Sequence, residues 1–207
     1  MSLNIPFLPM PQYTTYPKSG LHLRWRLGWV RANLLCRPYW ALKAKAGLMP
    51  TVHFGKRISF ITSVRVVGPA ASDIYLGDDC ILDSKPDLYT QAKGAKLNIG
   101  SNTYINGTRF GVFSSISVGK DCILADVRLM DTDFHSVAKN RVYPEAVVKH
   151  APITIENNVW IAAGSAVLKG VTIGQDSVIA FGSVVVASVP AGKIFGGNPA
   201  KEIGNVN

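Results

Sequence analysis

From Ile155 onward the chain repeats every six residues: IENNVW, IAAGSA, VLKGVT, IGQDSV, IAFGSV, VVASVP. The first position of each six is Ile or Val, at 155, 161, 167, 173, 179 and 185. The fifth is small or β-branched: Val159, Ser165, Val171, Ser177, Ser183 and Val189. An α-helix repeats near 3.6 residues and a strand at 2, so neither alone gives a period of six. A short flat strand ending in a corner does, and such units stack into a β-helix. Three sixes close one triangular coil. Each coil needs its neighbour to cover its inner face and take up its backbone hydrogen bonds.

The same phase runs upstream. IGSNTY begins at 99 and INGTRF at 105; one extra residue precedes VGKDCI at 118 and LADVRL at 124. Looser sixes start at 54, FGKRIS, and at 76, LGDDCI. Cys80 and Cys122 fall on fifth positions, which marks them as small core residues. Between 131, where the text reads DTDFHSV, and 152 the rhythm stops. With 19 glycines and only 17% charged residues, the composition suits short strands joined by tight corners, not a disordered chain.

Charge is unevenly placed. Residues 1–72 hold ten Lys/Arg and no acid; the remainder holds 22 − 10 = 12 Lys/Arg against 13 Asp/Glu, a balance of −1. The net +9 therefore describes an N-terminal arm and points to an anionic partner surface, phospholipid or nucleic acid. Three cysteines, an odd count without metal-ligand spacing, fit a reducing compartment, and no metal is expected. No stretch approaches the roughly 20 apolar residues of a membrane span. The opening MSLNIPFLPMPQ has no basic start or continuous apolar core of a signal peptide. The expected location is cytoplasmic, with peripheral contact at the inner face of the membrane.

The text APITIENNVWIAAGSAVLKGVTIGQDSVIAFGSVVVASVPAGKIFGGNPAKEI, residues 151–203, strongly resembles the hexapeptide-repeat acyltransferases. It is most similar to the maltose, galactoside and nodulation acetyltransferases and to the O-antigen and colanic acid O-acetyltransferases. The resemblance covers roughly 54–203. It implies a mainly β fold: a left-handed parallel β-helix, against the right-handed rule for parallel crossovers, with one extruded active-site loop. It further implies a homotrimer with sites between neighbouring prisms and acetyl-CoA as donor. The acceptor would be a sugar hydroxyl on a lipid-linked or nucleotide-linked glycan. The expected organisation is a basic arm over 1–50, the β-helix over 51–203 with its loop at 131–152, and a tail over 204–207.

In such enzymes the catalytic histidine stands at the start of the loop, which makes His135 the candidate general base. A sugar hydroxyl is a poor nucleophile at neutral pH, and an imidazole of pKa about 6.5 is both neutral and basic there. The bland alternative is an ordinary polar loop residue, and His150, at the loop's return, is the rival. Asp131 and Asp133 alternate with His135 and would share its side of an extended segment, orienting the ring or binding acceptor; a solvated acidic loop is the other reading. The resemblance assigns Asn106 to acceptor binding, although Asn is common at corners. It places Trp160 near the cleft, where a purely structural role is equally open. It lines the pantetheine groove with Ala163, Gly164, Phe181, Gly182 and Val186. Here the text departs from the family pattern: Phe181 stands where a small residue is usual, and Ala187 where a lysine often meets the nucleotide phosphates. Lys201 remains as a phosphate ligand, with Lys193 behind it.

Residues 20–46 predict a basic amphipathic helix. Leu23, Leu27, Val30 and Leu34 share one face, Arg24, Arg26, Arg31 and Arg37 flank it, and Pro38 should end or kink it. With Trp25, Trp29, Tyr39 and Trp40 it suits a lipid headgroup layer; alternatively it caps the end of the prism with its arginines solvated. The two readings are compatible. A nucleic-acid role lacks any recognised motif, and the histidine spacing does not fit a zinc-dependent γ-class carbonic anhydrase. The alternatives to an O-acetyltransferase are an N-acetyltransferase on an amino sugar and an inactive structural hexapeptide protein.

Overall fold

The computed structural model describes Arg24 and residues 26–207. Its strands form three parallel faces of a left-handed β-helix. Face A stacks β1 (Thr51–Phe54), β4 (Asp73–Leu76), β7 (Lys96–Ile99), β10 (Ser115–Val118), β13 (Ile153–Ile155) and β16 (Thr172–Ile173). Face B stacks β2 (Ser59–Phe60), β5 (Ile81–Asp83), β8 (Tyr104–Asn106), β11 (Ile123–Ala125), β14 (Trp160–Ile161), β17 (Val178–Ile179) and β19 (Lys193–Gly197). Face C stacks β3 (Arg65–Val67), β6 (Asp87–Thr90), β9 (Arg109–Val112), β12 (Arg128–Met130), β15 (Ala166–Leu168) and β18 (Val184–Val185). The last strand, β20 (Ala200–Asn205), folds back antiparallel on β19, so regular structure runs two residues past the expected tail boundary.

The hexad reading holds side chain by side chain. All six first-position residues from Ile155 to Val185 and all six fifth-position residues from Val159 to Val189 are buried. Buried serines among them turn their hydroxyls to corner carbonyls: Ser165 to Ala180 at 3.0 Å and Ser177 to Pro190 at 2.8 Å. Corners between faces A and B need a left-handed residue. Asp79, Asn102, Asp121, Asn158 and Asp176 supply it, with φ between 54° and 62°. Asp and Asn tolerate that region better than other L-residues. They also bond along the stack, Asn102 to Asp121 at 2.7 Å and Asn158 to Asp176 at 2.8 Å.

At the N-terminal end the first coil has no predecessor, and its outward carbonyls need donors. A continuous helix over 26–45 lies across it; its middle turn, Arg31–Cys36, is π-wound and leads into α1 (Arg37–Lys45). Arg31 donates to the Ile61 carbonyl at 2.7 Å, Asn33 to Ile58 at 2.8 Å and Arg37 to Gly55 at 2.7 Å. Two arginines of the expected cap, Arg31 and Arg37, are thus not solvated but close the open rung, whereas Arg24 and Arg26 are exposed. The expected apolar stripe consequently points outward, with Leu27 and Leu34 more than half exposed. Pro38 neither ends nor breaks the helix. It sits in the first turn of α1, directly after the widened turn, where its missing N–H costs little. Trp40 is core, against Phe54 and Phe60 at 5.7 and 5.4 Å between ring centroids. Leu23 and Trp25 lie outside the described residues.

Cys80 and Cys122 are fully buried, and burial pushes their thiols up to about 12 and about 11. An unfolded thiol ionises near ~8.5. Above that pH the folded chain keeps a proton the unfolded chain has lost, so stability falls as pH rises, by about 1.4 kcal/mol per unit per thiol. Replacing Cys80 by Ala removes one such slope. The unfolding free energy of the parent minus that of Cys80→Ala should shrink steadily from about pH 9 to 11 in denaturant titrations; a constant difference would contradict this account.

Candidate functional site

The break in the hexads is a loop leaving the corner between faces C and A. Its neck is built into the stack: Asp131 N–H donates to Gly111 O at 3.3 Å, Ala151 N–H to Asp131 O at 2.9 Å, and Gly170 N–H to Ala151 O at 3.1 Å. Thr132 and His150 form an antiparallel bridge across the neck, and the His150 ring packs on Phe113 with centroids 4.7 Å apart.

Asp131 is unavailable to an acceptor, contrary to the sequence expectation. Its side chain is fully buried, and its carboxylate accepts from the backbone N–H groups of Phe113, Ser114 and Ser115 at 2.6, 2.7 and 2.7 Å and from the Ser114 hydroxyl at 2.9 Å. It fastens the loop's root to the preceding corner. Asp133 sits at the same end of face C in an ion pair with Lys169, a partner the hexad text gave no reason to single out. The expected alternation placing Asp131, Asp133 and His135 on one side fails at Phe134. That residue takes φ 62°, a left-handed conformation costly for a bulky side chain. The turn drops the Phe134 ring onto face C above Gly111, where an added Cβ would lie 2.6 Å from Phe134 Cζ. It leaves His135 exposed, its N–H donating to Asp133 O at 2.7 Å.

The other expected site residues stand elsewhere. Asn106 ends β8 on face B, half-buried, with its amide 3.4 Å from the Tyr104 hydroxyl. Trp160 opens β14 on the same face and is 48% exposed. Ala163, Gly164, Phe181 and Gly182 form the corner between faces B and C in two successive coils. The column is continuous: Asp126 N–H donates to Asn106 O at 2.6 Å, Gly164 to Asp126 O at 3.1 Å, and Gly182 to Ala163 O at 3.0 Å. Gly164 and Gly182 have φ of 71° and 69°, and the Phe181 ring, 78% exposed, lies beside Gly164. Val186 follows β18 at the opposite edge of face C, nearer the loop. Lys201 is exposed on β20, whereas Lys193 is occupied by Glu202 and Asn205 at 2.8 and 2.7 Å.

Two candidate half-sites result, on opposite edges of face C. One carries His135, Asp133, Lys169 and Val186; the other carries Asn106 and the glycine corners, with Trp160 set back on face B. Concavities of about 430 Å³ around His53, Tyr75 and Asn98 and about 280 Å³ beside Trp40 include neither His135 nor Asn106. Among the described residues no cluster of three or more His, Cys, Asp or Glu stands ready for a metal ion, and no helix is long and apolar enough to cross a membrane.

Residues 152–187 match the family model for bacterial transferase hexapeptide (six repeats). The galactoside O-acetyltransferase of Escherichia coli K12 is 31% identical over 124 residues, 59% of this chain and 60% of that protein. A 2,3,4,5-tetrahydropyridine-2,6-dicarboxylate N-acetyltransferase of Clostridium perfringens is 52% identical over 56 residues, 27% of this chain and 24% of that protein. The chain thus spans less than two thirds of either. A hexapeptide-repeat acetyltransferase of Vibrio cholerae, solved with acetyl coenzyme A, shares the fold at TM-score 0.53 and 22% identity, over 90% of this chain and 87% of that one.

Replacing Asp131 by Ala strands three part-buried N–H groups at about 1 kcal/mol each, the low end for an unpaired donor because water can reach them. The melting temperature should fall by roughly 6–12 °C in a chain of this size. Asp133→Ala, at a partly exposed ion pair, should shift it by less than about 3 °C. Equal shifts in thermal unfolding would return Asp131 to the loop surface.

Proposed function

We propose that this chain, which belongs to the hexapeptide-repeat acyltransferase family, moves an acetyl group from acetyl-CoA to a sugar hydroxyl at a site completed by a second copy of itself. The hydroxyl oxygen attacks the thioester carbonyl carbon while His135 takes its proton. The tetrahedral adduct then collapses, the C–S bond breaks, and the leaving sulfur takes that proton back from the imidazolium. General-base help of this kind contributes ~10²–10⁴-fold. A covalent route through Cys80 or Cys122 is unsuited to these thiols, which are buried and held protonated.

The observation that carries the reading is the separation of the half-sites. His135 projects from one corner of the prism, and Asn106 with the glycine column lies at another, across face C. A threefold arrangement that sets the loop corner of one prism against the glycine corner of the next joins them. Asn106 then binds the acceptor through an amide that both donates and accepts. Trp160 offers an apolar face to sugar or pantetheine, and Lys201 a charge for the nucleotide phosphates. Asp133, held by Lys169, positions the backbone from which His135 projects. The acceptor is a surface-polysaccharide precursor, carried on lipid or nucleotide.

Transfer to the nitrogen of an amino sugar is the second reading; the Clostridium relative is an N-acetyltransferase, though its named acceptor is a tetrahydropyridine dicarboxylate and not a sugar. A mass-spectrometric acceptor screen separates the two, since hydroxylamine removes an O-acetyl ester and leaves an amide. A chain that does not bind acetyl-CoA at all would fit the inactive alternative instead, with Phe181 and Ala187 as the cause.

His135→Ala should lower turnover by ~10²–10⁴-fold with the oligomeric mass unchanged. Co-assembly tests the shared site directly. His135→Ala and Asn106→Ala chains, each inactive alone, should regain about a quarter of parental activity when mixed equally in trimers, because one interface in four then pairs an intact histidine with an intact asparagine. No recovery from demonstrably mixed oligomers would place both residues in one copy's site.

A further inference from the structure

The helix over 26–45 inverts the usual surface arrangement. Its polar side chains Arg31, Asn33 and Arg37 face the protein, where they bond first-coil carbonyls. Apart from Trp40, which is core, its large apolar side chains are turned outward: Leu27, Leu34, Leu35, Tyr39 and Leu42, with Leu48 just beyond, are each 56–69% exposed. A soluble helix ordinarily buries that stripe, and a contiguous apolar patch of this kind marks an interaction surface. A cavity of about 280 Å³ lined by Tyr39, Trp40, Leu48, Met49 and Val66 opens beside it.

Charge says what covers it. Arg24 and Arg26 stand exposed at one end of the helix, and Lys43 and Lys45 lie near the other. Residues 1–72 contain no acid. Of the acids nearest this end, Asp73 pairs with His53, Asp79 with Arg57 and Asp83 with Arg24 at 3.8 Å, while Asp78 accepts from the Lys56 backbone N–H at 2.7 Å. A leucine row with cations at both ends and no carboxylate on the helix itself suits the boundary between acyl chains and anionic headgroups. Long basic side chains there reach up to phosphate while their stems stay apolar.

We propose that the outer face of the cap helix seats the protein on an anionic lipid bilayer, with Leu27, Leu34, Leu35 and Leu42 entering the headgroup boundary and Arg24, Arg26, Lys43 and Lys45 meeting lipid phosphate. The contact is separate from acetyl transfer, and its test needs neither donor nor acceptor.

The test is sedimentation of the full chain with phosphatidylcholine vesicles containing or lacking phosphatidylglycerol. The parent should bind the anionic vesicles, bind the neutral ones at least about tenfold more weakly, and lose binding as salt rises to about 0.5 M. The double variant Leu34→Ser/Leu42→Ser should lose about tenfold or more in partitioning, with melting temperature and oligomeric mass unchanged. Four results would overturn the proposal. The first is a parent that ignores anionic vesicles, and the second a leucine variant that binds them equally well. The third is dissociation of the variant's oligomer, which would make the face a contact between copies. The fourth is equal retardation of a short DNA duplex by parent and variant while vesicles are not bound, which would make the basic end a nucleic-acid surface.

Discussion

Each coil satisfies its backbone on the next. The pairing in register from β1 through β16 on one face, and equally on the other two, leaves polar groups unmatched at the ends of the stack and at any place where the chain leaves it. The distinctive features of this protein answer those exposures. At the first rung, guanidinium and amide donors on a helix take the orphan carbonyls. At the last, β20 pairs back on β19. At the excursion, the Asp131 carboxylate collects three free N–H groups of the preceding corner. Hydrophobic burial holds the column together, but hydrogen-bond accounting decides its terminations.

The column itself was legible because its period is written in side chains: from Ile155 on, every Ile or Val at a first position faces inward, and every fifth position carries a small or branched group. The loop was legible as an interruption of that period. What the text concealed depends on contacts between distant segments. Nothing local shows that Arg31 and Arg37 would serve carbonyls 18 to 30 residues away, so the helix was expected to present its leucines to the protein or to lipid without a means of choosing. Nor does the spacing of Asp131, Asp133 and His135 reveal a left-handed Phe134 between them, which sends three neighbouring polar side chains to three different fates. Gly111 was the available clue. A glycine in mid-strand allows another ring to approach, and Phe134 fills that space.

The separation of His135 from Asn106 likewise follows from topology. Corners recur once per face, so residues at different corners of one prism stay apart however the side chains rotate. A catalytic centre that uses both must be assembled from copies. Its integrity then depends on a surface that no single chain buries, and damage to that surface would appear as lost activity in a chain that still folds.

The column also fixes distances. β12, from which the loop departs, lies on the fourth rung of face C, three rungs from the first, and rungs repeat at ~4.8 Å. With the helix beneath adding about 10 Å of thickness, His135 stands roughly 25 Å from the outer face of the helix. A stack of coils is therefore a measuring rod. Deleting or duplicating one coil between helix and loop would lower or raise the His135 imidazole by one fixed increment.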